Sequence, residues 1–447
     1  MGTGHGHGHL ADHGADRGAG ENGADHGTGR RKGGRRAARG VDDVVAVGST
    51  ARTLLLAALA LALIAALIGL VIWWPDEEGL VDRDGAGAQF AAPGVTFPVG
   101  EVVEVAEPCP GNGMPDGSGC STLTVDVGDP DGEVQVPVPL EVIDSGLAAG
   151  DRVELMRTPT PAADQGNGAN DQEASYSYFA TDRDRTLLWL FVAFFVVVVA
   201  IARWRGLFAV LGMAFGGAVL WWFALPALLD GAPGIGVALT AATVIMVVVL
   251  YTTHGFSLRT STALAGTLVG VLLTAGLGRW VIARTHLTGI SDESGGFLST
   301  FAPGLDFQSL LGCALVIAGL GVLNDVTITQ ASAVWELRAA APGASRAELF
   351  ASGMRIGRDH IASTIYTIVF AYAGTALLVL MLLQVYGRPL IELVSTEQLA
   401  EEIAFTLTTS IGLVLTVPIT TGIAALIVGG PKEPAKGPHP AGADQAS

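Results

Sequence analysis

Eight apolar runs, separated by shorter polar segments, dominate the pattern along this chain. The first, 53–74, carries no charge and is about 20 residues long, enough to cross the hydrocarbon core of a bilayer. The other seven follow a long polar interval and lie at 187–202, 207–229, 235–251, 263–282, 310–330, 361–385 and 403–428. The pattern predicts an all-α polytopic membrane bundle with about eight transmembrane helices.

The polar interval, 75–185, has a different period. Apolar and polar residues alternate in short bursts such as "GEVVEVAE" and "GEVQVPVPLEV", which Gly, Pro and Asp separate. Alternation of period two predicts short strands, so we expect a small β-rich domain, a barrel or a sandwich, between the first and second helices. Basic residues ("RRKGGRRAAR") precede the first run and predict that this domain is extracytoplasmic. In that compartment Cys109 and Cys120 are the candidate disulfide.

The chain therefore divides into five predicted regions. Residues 1–51 form a disordered His/Gly/Arg-rich cytoplasmic tail, 52–74 the first transmembrane anchor and 75–185 the acidic β-rich domain. Residues 186–430 form a seven-helix transmembrane domain, and 431–447 a disordered cytoplasmic tail. Arginine and lysine are concentrated in the predicted inner loops, so we expect a multi-pass protein of the bacterial plasma membrane with both termini cytoplasmic. The histidines of the first tail are either a transition-metal ligand set or a non-specific tract, and any metal is left unknown.

Composition narrows the possible partners. Half of the residues are hydrophobic and only 15% are charged, too few charges for a soluble protein of 447 residues. The formal net charge is −17, and acidic residues between 75 and 185 account for it. Nucleic acid is a poor partner for such a surface, whereas the lipid bilayer is an expected one. We find no zinc motif, nucleophile elbow or phosphate loop, and we expect neither an enzyme nor a cofactor.

The run at 310–330 ends in polar residues, "NDVTITQAS". Its apolar part would extend only about 21 Å as a helix, so Asn324 and Asp325 are predicted to lie inside the bilayer. On a helix Asp325, Thr329 and Ser332 share one stripe. A carboxylate at that depth is costly, so we expect Asp325 to face the bundle or a water-filled cavity. The alternative is that Asp325 pairs with an arginine of the next helix and simply ties the two helices together.

Three more segments bring polar groups to the same depth. "RIGRDHIAST" precedes the run at 361–385, and "YTTHGF" ends the run at 235–251. In the last run "TVPITT" contains Pro418, which removes a backbone hydrogen bond and is the candidate gating or kink position. Carboxylates, hydroxyls and freed carbonyls are hard oxygen ligands for H⁺, Na⁺ or a hydrated divalent ion. The predicted substrate- or ion-binding residues are Asp325, Asn324, Thr329, Ser332, Asp359, Ser363, Thr367 and Arg358.

Two segments, "LNDVTITQASAVWEL" (323–337) and "GMRIGRDHIASTIYTIVFAYAG" (353–374), resemble the YibE/F-like family of bacterial integral membrane proteins. The layout of an anchor, a β-rich segment and seven spans is also similar, so the resemblance covers roughly residues 53–428. After "AYAG" this chain lacks the Leu-Pro step expected in the family, which removes the residue that would kink the helix. The resemblance implies a membrane transporter. Its matching positions are Asp325, Ser332, Glu336, Gly357, Arg358, Asp359 and Tyr372.

We therefore expect a secondary transporter or exporter of a small ion or small molecule, coupled to H⁺ or another cation, with a site that faces the cytoplasm. Asp325 would bind the coupling ion, and Asp359 the substrate or a second proton. One alternative is a membrane-anchored sensor or assembly factor that acts through the extracytoplasmic domain. The other is a membrane hydrolase with paired aspartates, which Arg358 opposes because a neighbouring guanidinium favours ionisation of Asp359.

Overall fold

The computed structural model of the chain describes residues 45, 47–75, 92, 94–108, 120–129, 131–159, 174–302, 304–387 and 389–429. The predicted pairing of Cys109 with Cys120, and almost all of both predicted tails, lie outside the described residues.

Helices make up most of the described chain. Six of them are long and apolar enough to cross a membrane, or seven if the bent pair Arg346–Thr375 and Leu377–Tyr386 is counted as one span. This confirms a polytopic, largely helical membrane protein. In chain order the helices are α1 (Ser49–Ile72), α2 (Leu140–Asp144), α3 (Asp184–Val219), α4 (Leu225–Leu229), α5 (Gly234–His254), α6 (Leu258–Thr285), α7 (Glu293–Phe301), α8 (Phe307–Ala340), α9 (Arg346–Thr375), α10 (Leu377–Tyr386), α11 (Leu390–Leu393) and α12 (Glu397–Ile427), with a π-helical turn, Leu220–Ala224, between α3 and α4.

Helix α3 is broken at Arg203. The backbone there has φ 57° and ψ −134°, outside the helical region. A Cβ on Gly206 would lie 2.5 Å from the carbonyl oxygen of Val198, two turns earlier, so the chain after the break folds close to the chain before it. Only glycine permits that approach. The break falls between the apolar runs 187–202 and 207–229, which the sequence predicts as separate helices.

Helices α9 and α10 meet at a 61° bend. The Thr375 hydroxyl donates a 2.8 Å hydrogen bond to the Tyr372 carbonyl, a local bond of the kind that bends helices. The helix bends although it lacks the expected Leu-Pro step. Helix α9 also begins well before the predicted run at 361, because Ser345 and Glu348 form a capping box that starts it at Arg346.

Helix α8 is the centre of the bundle. It packs against α5, α6, α12 and α9. Around α8, α5 also packs against α6, α6 against α12, and α12 against α9. Among the described helices, α9 and α5 make no comparable contact with each other. One side of α8 is therefore left open in a gap between α9 and α5. Helix α1 packs on α5 and α6, and α3 packs on α5.

Glycine and threonine alternate along the contact between α6 and α12. A Cβ on Gly266 would lie 2.1 Å from the Thr420 hydroxyl, and one on Gly270 would lie 2.3 Å from the Thr416 hydroxyl. The direction is reversed one turn further, where Gly412 of α12 faces Thr274 of α6. Because these glycines have no side chain, the two backbones can approach closely, as is common in membrane bundles.

Between α1 and α3 the chain forms one antiparallel sheet. Its strands are β1 (Val99–Pro108), β2 (Cys120–Asp126), β3 (Glu133–Pro139), β4 (Arg152–Thr158) and β5 (Ser175–Thr181), in the order β3-β2-β1-β4-β5. The edge strands β3 and β5 contact each other, and α2 lies between β3 and β4 in sequence. This order and closure match the five-stranded OB barrel rather than a sandwich. Alternate residues fill its core, among them Val102, Leu123, Val136 and Leu155, each at most 1% exposed.

Candidate functional site

A carboxylate and an imidazole on neighbouring membrane helices face each other. The Oδ2 atom of Asp325 on α8 lies 3.5 Å from the Nε2 atom of His360 on α9. His360 Nε2 has no hydrogen-bond partner among the described residues, so the contact is electrostatic rather than a short hydrogen bond. Asp325 lies about 27 Å from the start of α8 at 1.5 Å per residue, so in a hydrocarbon core about 30 Å thick it lies toward the side opposite to the start of the helix.

The two side chains of this pair differ in exposure. The Asp325 side chain is 65% exposed and that of His360 is 27% exposed. Asp325 belongs to the open side of α8, in the gap between α9 and α5. Exposed and half-buried residues recur there at helical spacing, and nearly all are small or polar: Gly321, Asp325, Thr329, Ser332 and Glu336. Helix faces that contact lipid are normally large and apolar, and a charge there is costly, so this face points to water or to a polar partner.

The other predicted residues of α9 are exposed, and among the described residues they form no ion pair with Asp325. Arg358, Asp359, Ser363 and Thr367 are all exposed, and the Thr367 hydroxyl donates to the carbonyl of Ser363 at 3.2 Å. Since Asp359 neighbours His360, it lies at the same depth as Asp325. It does not cap the first turn of α9, which begins at Arg346.

Asp325 has a different partner from the arginines considered in the sequence. Arg355 donates instead to the Ser352 hydroxyl at 2.7 Å. Among the ion pairs of the described residues, Asp325 pairs with His360 alone.

Behind this pair, a buried polar contact holds four helices together. The hydroxyls of Thr267 on α6 and Thr327 on α8 are 2.6 Å apart. Gln330 Nε2 donates to the Gly353 carbonyl of α9 at 2.7 Å and to the Thr421 hydroxyl of α12 at 2.8 Å. Both threonines of the α6–α8 pair are fully buried, and Gln330 is 1% exposed. These bonds fix the helices that carry Asp325 and His360 relative to their neighbours.

Not every predicted group joins this arrangement. At the end of α5, Thr252 and Thr253 donate to carbonyls of their own helix at 2.7 and 2.6 Å, and His254 contacts Thr253. Helix α12 continues through Pro418 without interruption from Glu397 to Ile427. Asn324 keeps a buried Oδ1 atom without a hydrogen-bond partner in the described part of the chain. The predicted polar residues thus form two separate groups. One is the buried set of hydrogen bonds around Thr327 and Gln330, and the other is the exposed Asp325–His360 pair.

Sequence reasoning missed His360, Gln330 and Thr267 as site residues. For His360 a usable signal exists. Gly353 and Gly357 recur at helical spacing, and both are buried against Gln330 and its neighbours. The next turn of that face begins at 360, so the histidine had to lie beside α8.

A metal site is not formed here. No group of three or more His, Cys, Asp or Glu side chains within the described residues could hold a metal ion. Asp325 and His360 supply two ligands in an open gap, which suits a proton or a cation that keeps much of its hydration shell.

The arrangement is that of a polytopic membrane protein with an ionisable pair in its helical bundle. The model of the YibE/F-like protein family matches residues 190–430, more than half of the chain, and the protein belongs to this family. The matched region contains both polar segments and the Asp325–His360 pair. Comparison with curated proteins and with solved structures gave no match.

Proposed function

We propose that this protein is a secondary transporter that moves a small ion or small molecule in exchange for, or together with, H⁺ or another cation. Asp325 and His360 form the coupling site. The observation that supports this most strongly is an ionisable pair on two membrane helices, 3.5 Å apart, beside an open polar gap. Because a charge in hydrocarbon is costly, such groups in membrane helices usually serve an ion or proton pathway.

The pair provides a mechanism for coupling. When Asp325 binds a proton or a cation, its attraction to His360 weakens, which changes the preferred distance between α8 and α9. Glycines on α9 leave no side chains to block a small shift, and Pro418 leaves one carbonyl of α12 without its helical donor. Asp359 binds the substrate or a second proton, and Arg358 contributes to the binding of the substrate. The remaining polar residues proposed to complete coordination are Asn324, Thr329, Ser332, Ser363 and Thr367.

The proposed topology has eight spans with both termini in the cytoplasm of a plasma-membrane protein. The break at Arg203 supports separate second and third spans, since it divides a 46-residue candidate that would be too long for one crossing. The arginine-rich predicted inner loops support the orientation. The β domain is then extracytoplasmic, where Cys109 and Cys120 can form a disulfide. The open gap beside Asp325 faces the cytoplasm.

Reconstitution in liposomes tests the coupling role. Internal pH is followed with a trapped dye while gradients of Na⁺, K⁺ or a divalent cation are imposed. We expect proton movement with at least one cation and a loss of at least tenfold in the Asp325→Asn variant, because the amide cannot exchange a proton. Glu336→Gln is the matched control, since it removes another exposed carboxylate from the same side of α8.

Two outcomes contradict the proposal. One is proton movement in Asp325→Asn equal to that of the parent protein. The other is absence of flux under every gradient although the protein is folded and inserted. The second would favour the sensor or assembly factor that acts through the β domain, and deletion of that domain should then abolish the cellular output.

A further inference from the structure

A second acidic side chain lies in an apolar cleft near the other end of α9. The cleft has a volume of about 220 Å³ and lies between the α9–α10 bend and the first turns of α12. Tyr372 and Glu402 line it, with Thr406 as a further polar side chain. Its apolar walls include Val369, Ala376, Leu380, Leu399, Ile403 and Leu407.

Glu402 differs from the two other carboxylates of α12 nearby. Glu397 accepts a 2.9 Å hydrogen bond from the Thr288 hydroxyl, and Glu401 accepts one of 2.7 Å from the Ser291 hydroxyl. Both carboxylates therefore hydrogen-bond to the segment that connects α6 and α7. Glu402, one position further round the helix, lines the cleft and forms no ion pair within the described residues. It lies about 8 Å into α12, directly before the apolar run 403–428, so it can meet a charged ligand at the edge of the span.

The chemistry of the cleft selects its ligand. An inorganic cation needs several oxygen ligands, which the apolar walls do not supply. An organic cation needs one negative group and apolar or aromatic surface. Tyr372 supplies an aromatic face, which Phe405 supports at a ring-centroid distance of 6.2 Å. The volume lies below the roughly 300–1,000 Å³ of pockets for drug-sized ligands, so the ligand is small.

We propose that this cleft binds a small organic cation with an apolar body, such as a quaternary ammonium compound, through Glu402 and Tyr372. As the substrate class of the transporter, this inference rests on the proposed function. Binding in the cleft does not depend on coupling at Asp325, because the two places are far apart. His360, the partner of Asp325, and Tyr372 of the cleft are about 18 Å apart along α9.

Calorimetric titration of the full-length protein in detergent tests the inference. The probe is benzyltrimethylammonium, and its uncharged carbon isostere, neopentylbenzene, is the ligand control. We expect saturable binding of the cation, weakened at least tenfold in Glu402→Gln and unchanged in the adjacent, matched Glu401→Gln. Tyr372→Phe should retain binding, whereas Tyr372→Leu should weaken it about threefold to tenfold through loss of the cation–π contact.

A further variant guards against misfolding of Glu402→Gln. Leu380→Trp fills the cleft without touching the carboxylate and should also weaken binding at least tenfold. The inference is overturned if wild type does not bind the cation, if the uncharged isostere binds equally well, or if Glu402→Gln binds as wild type does.

Displacement by phosphatidylethanolamine would assign the cleft to a lipid headgroup instead. A change of oligomeric state in Leu380→Trp would assign it to a contact between copies.

The Asp325→Asn variant separates this inference from the proposed function. It should bind benzyltrimethylammonium as tightly as wild type while losing coupled proton movement. Loss of the binding in Asp325→Asn would contradict an independent cleft. Intact coupling in a protein that does not bind the cation would overturn the cleft and leave the transporter.

Discussion

The Asp325 side chain is 65% exposed, whereas Leu323, Val326 and Thr327 beside it are completely buried. Asp325 therefore marks the place where α8 changes from a packed face to an open one. Its partner His360, on α9, is 27% exposed and places its Nε2 atom 3.5 Å from the Asp325 carboxylate. Together they form the carboxylate–imidazole pair of the site.

The polar contact behind this pair allows a quantitative test. Thr267 and Thr327 lie 2.6 Å apart and are fully buried. Either single Thr→Val substitution should lower the free energy of unfolding by about 0.6–2 kcal/mol, because the remaining hydroxyl loses its bond to the other helix and keeps only the carbonyl of its own helix. The double substitution should cost less than the sum of the two. SDS titration in mixed micelles measures all three variants, and strictly additive losses would show that the two hydroxyls are not coupled.

Asp325 could be identified from the sequence because a polar residue interrupts an apolar run. The environment of Asp325 could not be predicted from the sequence. The pattern shows which face of the helix a side chain lies on, but not which residue of a neighbouring helix it meets. Asp325 and Arg355 are both conspicuous in sequence, yet the side chain that approaches Asp325 belongs to His360. Which residues meet across two helices depends on their rotation and stagger, and packing of the whole bundle sets both.

At the scale of elements, the α6–α12 contact shows why glycine is needed at particular positions. A Cβ on Gly266 would lie 2.1 Å from the buried Thr420 hydroxyl, whereas nothing lies within 4 Å of a Cβ on Gly276 of the same helix. Gly266→Ala should therefore destabilise the protein by about 1–3 kcal/mol through overpacking. Gly276→Ala is the matched control and should be neutral or stabilising by up to about 1 kcal/mol. Equal effects on thermal unfolding in detergent would contradict this account of the contact.

The β domain contains a charged cluster with a pH dependence of known sign. Hydrogen bonds from Tyr176 and then Arg157 hold the pKa of Asp131 below its ordinary value. The resulting stabilisation is fully present above the unfolded pKa of about 3.9 and is lost as the pH falls through the lower folded value. We therefore expect pepsin to cleave β4 and β5 faster as the pH falls below about 4, relative to β2 and β3.

A pair of tyrosine variants provides the control for this pH dependence. Tyr176→Phe removes a donor to Asp131 and should reduce the pH-dependent difference. Tyr178→Phe removes a hydroxyl that contacts Thr181 instead and should leave it unchanged. Equal pH profiles in both variants, read by mass spectrometry of the peptides, would show that the cluster does not stabilise the domain.

Most helices and strands were predictable because their apolar residues recur at regular spacing. The alternating bursts "GEVVEVAE" and "GEVQVPVPLEV" became β1 and β3, and each apolar run lies within or largely overlaps the helical segments. The first half of α9 was missed because arginines and an aspartate interrupt its apolar pattern, so it has no continuous run to detect. The bend at Ala376 was missed because no proline marks it.

At the scale of the whole molecule, four helices surround α8 and leave one side open between α9 and α5. The proposed transport function requires that this gap give the ionisable pair a route to water. The sequence predicts the polar stripe on α8 but not the gap, since the order of helices around α8 is a property of tertiary packing. The central claim is therefore that water, not lipid, fills the open side of α8.

Thiol labelling tests this claim most directly. In a protein whose native cysteines are replaced by alanine, Gly321→Cys places a thiol on the open side of α8, and Leu272→Cys places one on the outer surface of α6. The two sites lie at similar depth, because Gly270 of α6 packs beside Leu323 of α8. We predict that a membrane-impermeant thiol reagent labels the Gly321→Cys variant in membranes and not the Leu272→Cys variant. Equal protection of both thiols would contradict an aqueous opening beside Asp325.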